Sequence, residues 1–302
     1  MDKYIKITDA YISRTAGFTQ FYTINFVKLK TLVMKKTKLL ICIVLVGIFG
    51  QNQEAEAKAA PKPHKTFVLV HGAWQAEFAW EQVAADLKKE GNAVIVVNLP
   101  GHGDDNTAPE KVSMNAYRDK VIAALNHVNE KVILVGHSMG GMVISAVAEK
   151  IPAKIESLVY LGAFLPGNGD SLMSLTMRDK QSILGAAIVP SADHLTLDVQ
   201  KDKVISIFCQ DADQQTQKMV LARFKIEPAI PFGDAVTLSD SNFGNVKKYY
   251  IYTLLDRAVG IDLQHKMVAA ATVQKEFSVN SGHSPHITQP HAVSKILLQI
   301  AK

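Results

Sequence analysis

The sequence predicts an α/β fold: a mostly parallel central sheet, helices on both of its faces, and a segment inserted late in the chain. Three observations predict it. The runs Thr66–Val70, Ala93–Val97, Val132–Val135 and Ile155–Leu161 are apolar without alternation, as strands covered on both faces are. Stretches with apolar residues at helical spacing separate them. The third run leads straight into Gly136-His137-Ser138-Met139-Gly140, a Gly-x-Ser-x-Gly turn of the kind that joins a strand to a helix.

Each element has its own warrant. Trp80, Val83, Ala84 and Leu87 share one helical face, and Gly91 ends that helix. Ser113 is placed to cap a helix carrying Tyr117, Val121, Leu125 and Val128 on one side. Met139 to Lys150 reads as the helix after the serine turn. Residues 165–245 then lack strong strands and scatter Met, Phe, Pro and Asp, which marks them as a segment inserted into the sheet fold. The alternation resumes with a strand at Tyr249–Thr253, a helix over Ile261–Ala270 and a strand near Phe277. A last helix opens at Pro290 and shows Val293, Ile296, Leu297 and Ile300 on one face. The main domain is expected over 66–302, with no internal repeats.

The formal charge of +5 is unevenly placed. Of 33 Lys+Arg and 28 Asp+Glu, residues 1–57 hold 8 and 4, leaving 25 and 24 for the rest. The body of the protein is nearly neutral and has no basic stripe of the kind that binds nucleic acid. The basic excess surrounds an export signal. Met34-Lys35-Lys36-Thr37-Lys38 is a positive start, Leu39–Gly50 an apolar run, and Ala55-Glu56-Ala57 a small-x-small cleavage pattern. The apolar run is shorter than the ~20 residues needed to span a bilayer. The reading is therefore a signal peptide over 34–57, export to a periplasmic or secreted location, and no stable membrane anchor after cleavage. Residues 1–33 match no targeting pattern and are expected to be a start-site extension, with translation beginning at Met34. Residues 58–65, with two prolines, form a linker.

Of the two cysteines, Cys42 lies within the signal, and Cys209 is expected to be a small buried apolar residue rather than a reactive thiol.

The chemistry centres on Ser138. A serine hydroxyl becomes a nucleophile only if a base takes its proton and the backbone exposes it. A tight strand-to-helix turn does the second, and Gly136 and Gly140 omit side chains that would collide across it. The start of the helix also brings N–H groups and positive dipole to developing negative charge. A second donor must come from the loop after an earlier strand, where Val70-His71-Gly72-Ala73-Trp74 lies. The backbone N–H groups of Ala73 and Met139 are accordingly assigned to the oxyanion hole.

The chain order Ser, then acid, then His narrows the partners. Among the late histidines, His283 sits in Ser281-Gly282-His283-Ser284-Pro285 after a strand; His286 is a rival on the same loop, and His291 falls inside the last helix. Asp256 follows the strand Tyr249–Thr253 directly, at the sheet edge where sites assemble. Asp262 reads as a helix cap, and Asp240 lies before its strand. The histidines show no metal-ligand spacing, and no cofactor is implied.

These residues together resemble the alpha/beta-hydrolase superfamily over roughly residues 66–301. More narrowly the chain is similar to the methylesterase and hydroxynitrile lyase family, which includes salicylic acid-binding methylesterases. HGAW at 71–74, GHSMGGMV at 136–143, LSDSNFG at 238–244 and YIYTLLDRAVGIDLQ at 250–264 carry the likeness. The resemblance implies a helical cap, an apolar pocket for small esters, and Asp256 at the acid position. The lyases of that family carry Thr one residue past the equivalent of His71 and Lys directly after the catalytic His; here those positions are Gly72 and Ser284.

The functional expectation is hydrolysis of small apolar carboxylic esters through an acyl-Ser138 intermediate. Two other readings stand beside it: a hydroxynitrile lyase-type C–C lyase on the same site, and a small-molecule binding protein with slow turnover. Met173, Met177, Phe208, Met219 and Phe232 are candidates either for an acyl pocket or for the core of the cap. No feature of the sequence fixes an oligomeric state.

Overall fold

The computed structural model describes residues 65–302. The start-site extension, the signal peptide and all but the last residue of the linker lie outside the described residues.

Nine strands and ten α-helices follow one another among the described residues. The strands are β1 (Thr66–Val70), β2 (Ala93–Val97), β3 (Val132–His137), β4 (Ile155–Leu161), β5 (Ile188–Pro190), β6 (Thr196–Val199), β7 (Glu227–Pro228), β8 (Lys247–Thr253) and β9 (Lys275–Val279). The helices are α1 (Glu81–Lys89), α2 (Met114–Ala124), α3 (Gly140–Lys150), α4 (Leu172–Thr176), α5 (Val204–Phe208), α6 (Gln214–Arg223), α7 (Ile230–Gly233), α8 (Ile261–Ala269), α9 (Pro285–Thr288) and α10 (Pro290–Ile300).

Six strands form one sheet in the order β2-β1-β3-β4-β8-β9, every neighbouring pair parallel. Parallel strands need crossover helices, which cover both faces and make the strands apolar throughout. Successive residues accordingly feed two cores. Phe67, Leu69, Ile133, Val135, Val159 and Ile251 pack with Val83 and Leu87 of α1 and with Val293 and Leu297 of α10. Val68, Val70, Leu134, Leu158, Tyr160 and Tyr250 face the other way, against α2, α3 and the inserted segment. Burying one such aliphatic side chain stabilises the fold by about 1.5–3 kcal/mol.

Local signals place the element ends. Ser113 caps α2 by accepting from the Ala116 N–H at 3.1 Å. Gly91 ends the α1 turn with φ of 79°, a conformation that suits glycine. Asp262 differs from expectation: Gly260 is the N-cap of α8, and Asp262 sits inside its first turn, where a carboxylate favours the helix dipole instead.

The segment between β4 and β8 contains helices α4 to α7, but it also holds a three-stranded antiparallel sheet, β5-β6-β7. The segment has only short strands, as expected, but the helical cap implied by the resemblance is corrected to a mixed one. Its strands of two to four residues are too short to show a period of two in the sequence.

Candidate active site

Ser138 stands between β3 and α3 with φ of 53°, the left-handed region that non-glycine residues seldom occupy. Such a conformation costs about 1–3 kcal/mol and persists where the surroundings impose it. Here they do: the Ser138 carbonyl accepts from the N–H groups of Gly141 (3.0 Å) and Phe164 (3.1 Å). The flanking glycines are steric necessities. A Cβ on Gly136 would lie 2.5 Å from the Gly140 carbonyl oxygen, and one on Gly140 would lie 2.8 Å from that of Val70.

Asp256 and His283 come together from the ends of the neighbouring strands β8 and β9. Nδ1 of His283 lies 2.8 Å from Oδ2 of Asp256, and both side chains are shielded from solvent. The carboxylate is fully engaged. Oδ2 also accepts from the Thr253 hydroxyl at 2.7 Å, while Oδ1 accepts from the N–H groups of Ala258 and Val259, each at 2.8 Å. Buried Gln264 in turn donates to the Thr253 hydroxyl at 3.0 Å. With the carboxylate at Nδ1, that nitrogen carries the proton and Nε2 keeps its lone pair, the tautomer a general base needs.

His137, the neighbour of Ser138 in the serine turn, contacts His283. The His137 ring lies 4.6 Å from that of His283, and its Nε2–H donates to the His283 carbonyl at 2.8 Å. Ser138 Oγ and His283 Nε2 make no hydrogen bond to each other among the described residues. His137 is thus a buried packing residue; burial, followed by the neighbouring His286 and His283, pushes its pKa well down.

The rival bases separate cleanly. His286 is buried against Trp80, with Nε2 3.1 Å from Oε1 of Gln75 and no carboxylate partner. His291 lies exposed in α10 and pairs with Asp86. Asp240 sits in the π-helical turn that precedes β8, at the opposite end of that strand from Asp256. Cys209 is fully buried, and burial pushes its thiol up to about 12, which leaves it without thiolate character.

The loop after β1 supplies Ala73. Neither the Ala73 nor the Met139 N–H has a hydrogen-bond acceptor among the described residues. Gly72 packs directly on the serine: a Cβ there would lie 2.8 Å from Cβ of Ser138 and 2.9 Å from Nδ1 of His137. His71 is structural. Its Nδ1–H faces the Gly72 carbonyl at 2.8 Å, and its Nε2 accepts from the Leu99 N–H at 3.1 Å.

Sequence reading missed two long-range contributors. Gln75 donates to the Ser284 hydroxyl at 3.0 Å and so links the loop after β1 to the loop that carries His283. Glu227, from the cap, is wholly buried and accepts from the Trp74 N–H at 2.7 Å. Of the apolar candidates, Phe208 lies edge-on to His283 at 5.6 Å, and Phe232 lies edge-on to Trp74 at 5.8 Å. Met219 is half-buried against the core, whereas Met173 and Met177 are exposed on α4 and just after it.

Comparison with known proteins identifies the family and the fold. The description of the alpha/beta hydrolase family matches residues 67–296. Two chloroplastic Arabidopsis thaliana proteins are similar in sequence. One, named methylesterase 11, is 30% identical over 252 residues, covering 78% of this chain and 64% of its own length. The other, named methylesterase 14, is 31% identical over 256 residues, covering 79% and 72%. The chain thus spans somewhat under two thirds of the first relative. The crystal structure of polyneuridine aldehyde esterase superposes with a TM-score of 0.72 at 22% identity, over 79% of this chain and 99% of that one, a likeness of fold.

Proposed function

The chain belongs to the alpha/beta hydrolase family, and from that premise we propose that it hydrolyses small apolar carboxylic esters through an acyl-Ser138 intermediate. The observation that carries the proposal is the 2.8 Å contact of Asp256 with His283 Nδ1, in a chain whose Ser138 is held at a left-handed turn. The esterase names of the relatives support the same reaction class.

In this reading the Ser138 hydroxyl attacks the ester carbonyl carbon as its proton passes to Nε2 of His283. Asp256 holds the ring in place and stabilises the imidazolium. The carbonyl oxygen gains the negative charge and receives the N–H groups of Ala73 and Met139; removal of one such donor typically costs about 2.7–4 kcal/mol. Collapse expels the alcohol, which takes the proton from His283. Water then attacks the acyl carbon with His283 as base, releasing the acid and restoring the serine. The hydroxyl and Nε2 must close to hydrogen-bonding distance for the first step, and such contacts commonly tighten only when substrate is bound.

Lyase chemistry is disfavoured. It would need a Thr hydroxyl where Gly72 packs on Ser138, and a cation where the Ser284 hydroxyl is bonded to Gln75. We further propose that the segment over 34–57 directs export and is removed. Mass spectrometry of the exported protein tests this: a first residue near Lys58 is expected, and a chain retaining Tyr4 overturns it.

The test of the function is release of 4-nitrophenol from 4-nitrophenyl acetate. A burst of one equivalent per protein is expected, abolished in a folded Ser138→Ala variant. Full turnover by that variant overturns the proposal.

A further inference from the structure

Trp74 follows the oxyanion residue Ala73 and holds a left-handed φ of 59°. All of its hydrogen-bonding groups are clasped by the cap. Its N–H donates to Oε2 of Glu227 at 2.7 Å, its carbonyl accepts from the Lys225 N–H at 3.2 Å, and its indole N–H donates to the Leu197 carbonyl at 2.9 Å. Leu197 and Glu227 are paired across β6 and β7, so one rung of the small cap sheet grips both the backbone and the ring of Trp74.

Glu227 is the centre of this grip. Besides Trp74, it accepts from Nε2 of His102 at 2.7 Å and from the Tyr117 hydroxyl at 3.0 Å. Nδ1 of His102 faces the Pro100 carbonyl at 3.0 Å, so both of its ring nitrogens meet acceptors, the pattern of an imidazolium. A carboxylate with no exposure is costly unless paired and hydrogen-bonded, and this one has both. It joins the cap to three elements of the core: the loop after β1, the loop after β2, and α2. The reaction described above makes no use of it.

We propose that Glu227 is a positioning residue for ester hydrolysis: by holding Trp74 in its left-handed conformation it aims the Ala73 N–H at the oxyanion, so that a docked cap is a condition for a working oxyanion hole. The inference rests on the acyl-Ser138 reading. Without the carboxylate, the Trp74 N–H loses its acceptor and the peptide beside Ala73 is free to rotate. A displacement on the order of 1 Å in such a group can cost a hundredfold in rate. The loss falls on the transition state, because the Ala73 N–H bonds most strongly to the charge that develops there.

The test compares wild type with Glu227→Gln, which keeps the shape but puts a donor where an acceptor is needed. The burst amplitude with 4-nitrophenyl acetate counts working sites, and the burst rate reports acylation per site. A purely structural role lowers the amplitude and the melting temperature and leaves the rate per site intact. The proposal expects the rate per site and kcat to fall tenfold or more, with KM within about twofold. An unchanged rate per site overturns it. If Glu227→Gln does not fold, Glu227→Asp serves: its shorter carboxylate keeps the charge but cannot reach all three donors, and the same fall in rate per site is expected, its absence again overturning the proposal. If wild type itself shows no Ser138-dependent burst, the functional reading has failed instead. Fluorescence then decides the positioning role, because Trp74 is one of only two tryptophans. A red shift in Glu227→Gln that is absent in a Trp74→Phe background supports a released Trp74, and unaltered emission rejects it.

Discussion

Oδ2 of Asp256 sits 2.8 Å from Nδ1 of His283, with neither side chain open to solvent. Each residue leaves the end of a neighbouring parallel strand, so the sheet itself sets their separation. The carboxylate is held by two backbone N–H groups and a hydroxyl before it meets the ring, and it therefore has little freedom to turn away.

Asp256→Asn should preserve the fold, since the amide oxygen can still accept from Ala258 and Val259. It should lower kcat by about 10³–10⁴, because an amide no longer fixes the tautomer or stabilises the imidazolium. Steady-state kinetics beside a thermal melt checks this. A loss below tenfold with an unchanged melt would remove Asp256 from the mechanism.

Gly72→Ala should damage the site more than the fold. The added Cβ would sit 2.8 Å from that of Ser138 and 2.9 Å from Nδ1 of His137, both in the serine turn. Overpacking of this kind costs about 1–3 kcal/mol. A melting temperature lowered by a few degrees, together with near-complete loss of activity, is expected. Retained activity would mean that the turn yields freely.

Stability should decline on the acid side. His71, His137 and His286 are buried, and burial pushes each well below the ordinary value of 6.5. Their contribution is present above 6.5. As pH falls below it, the unfolded chain binds protons that the folded chain refuses, at about 1.4 kcal/mol per pH unit for each group. His102 acts in the opposite sense. Burial opposes its charge, but the Glu227 carboxylate prevails and raises its pKa, so its contribution is complete below 6.5 and is lost as pH rises through the higher folded value. Chemical denaturation from pH 5 to 8 should show a steep acid limb that His286→Gln makes shallower. A flat profile between 7 and 5 would contradict the burial of these rings.

Cys209 should resist a thiol reagent such as 5,5′-dithiobis(2-nitrobenzoate) in the native protein and react once denaturant is added, because its thiol is fully buried and pushed up to about 12. Rapid labelling of the native state would place it at an accessible surface.

Much of the sheet was legible because parallel strands buried on both faces read as plain apolar runs, and β1 and β2 fall at the expected bounds. The serine turn was legible because its requirements are local: two glycines, one serine and an apolar strand within a few residues. Asp256 and His283 were legible by order and by position after strands. The cap was not. Its strands are too short for a period, and its decisive residue, Glu227, meets Trp74 across 153 positions of sequence. An isolated Glu beside a proline carries no sign that three donors converge on it. Gln75 is hidden in the same way, since its partners Ser284 and His286 are more than 200 residues away.

The most direct test is covalent labelling with diethyl 4-nitrophenyl phosphate, read by peptide mass spectrometry. Transfer of one diethylphosphoryl group to the peptide containing Ser138, slowed at least a hundredfold in a folded His283→Ala variant, is the predicted result. Labelling at another residue, or an undiminished rate without the imidazole, would contradict the assignment of His283 as the base that activates Ser138.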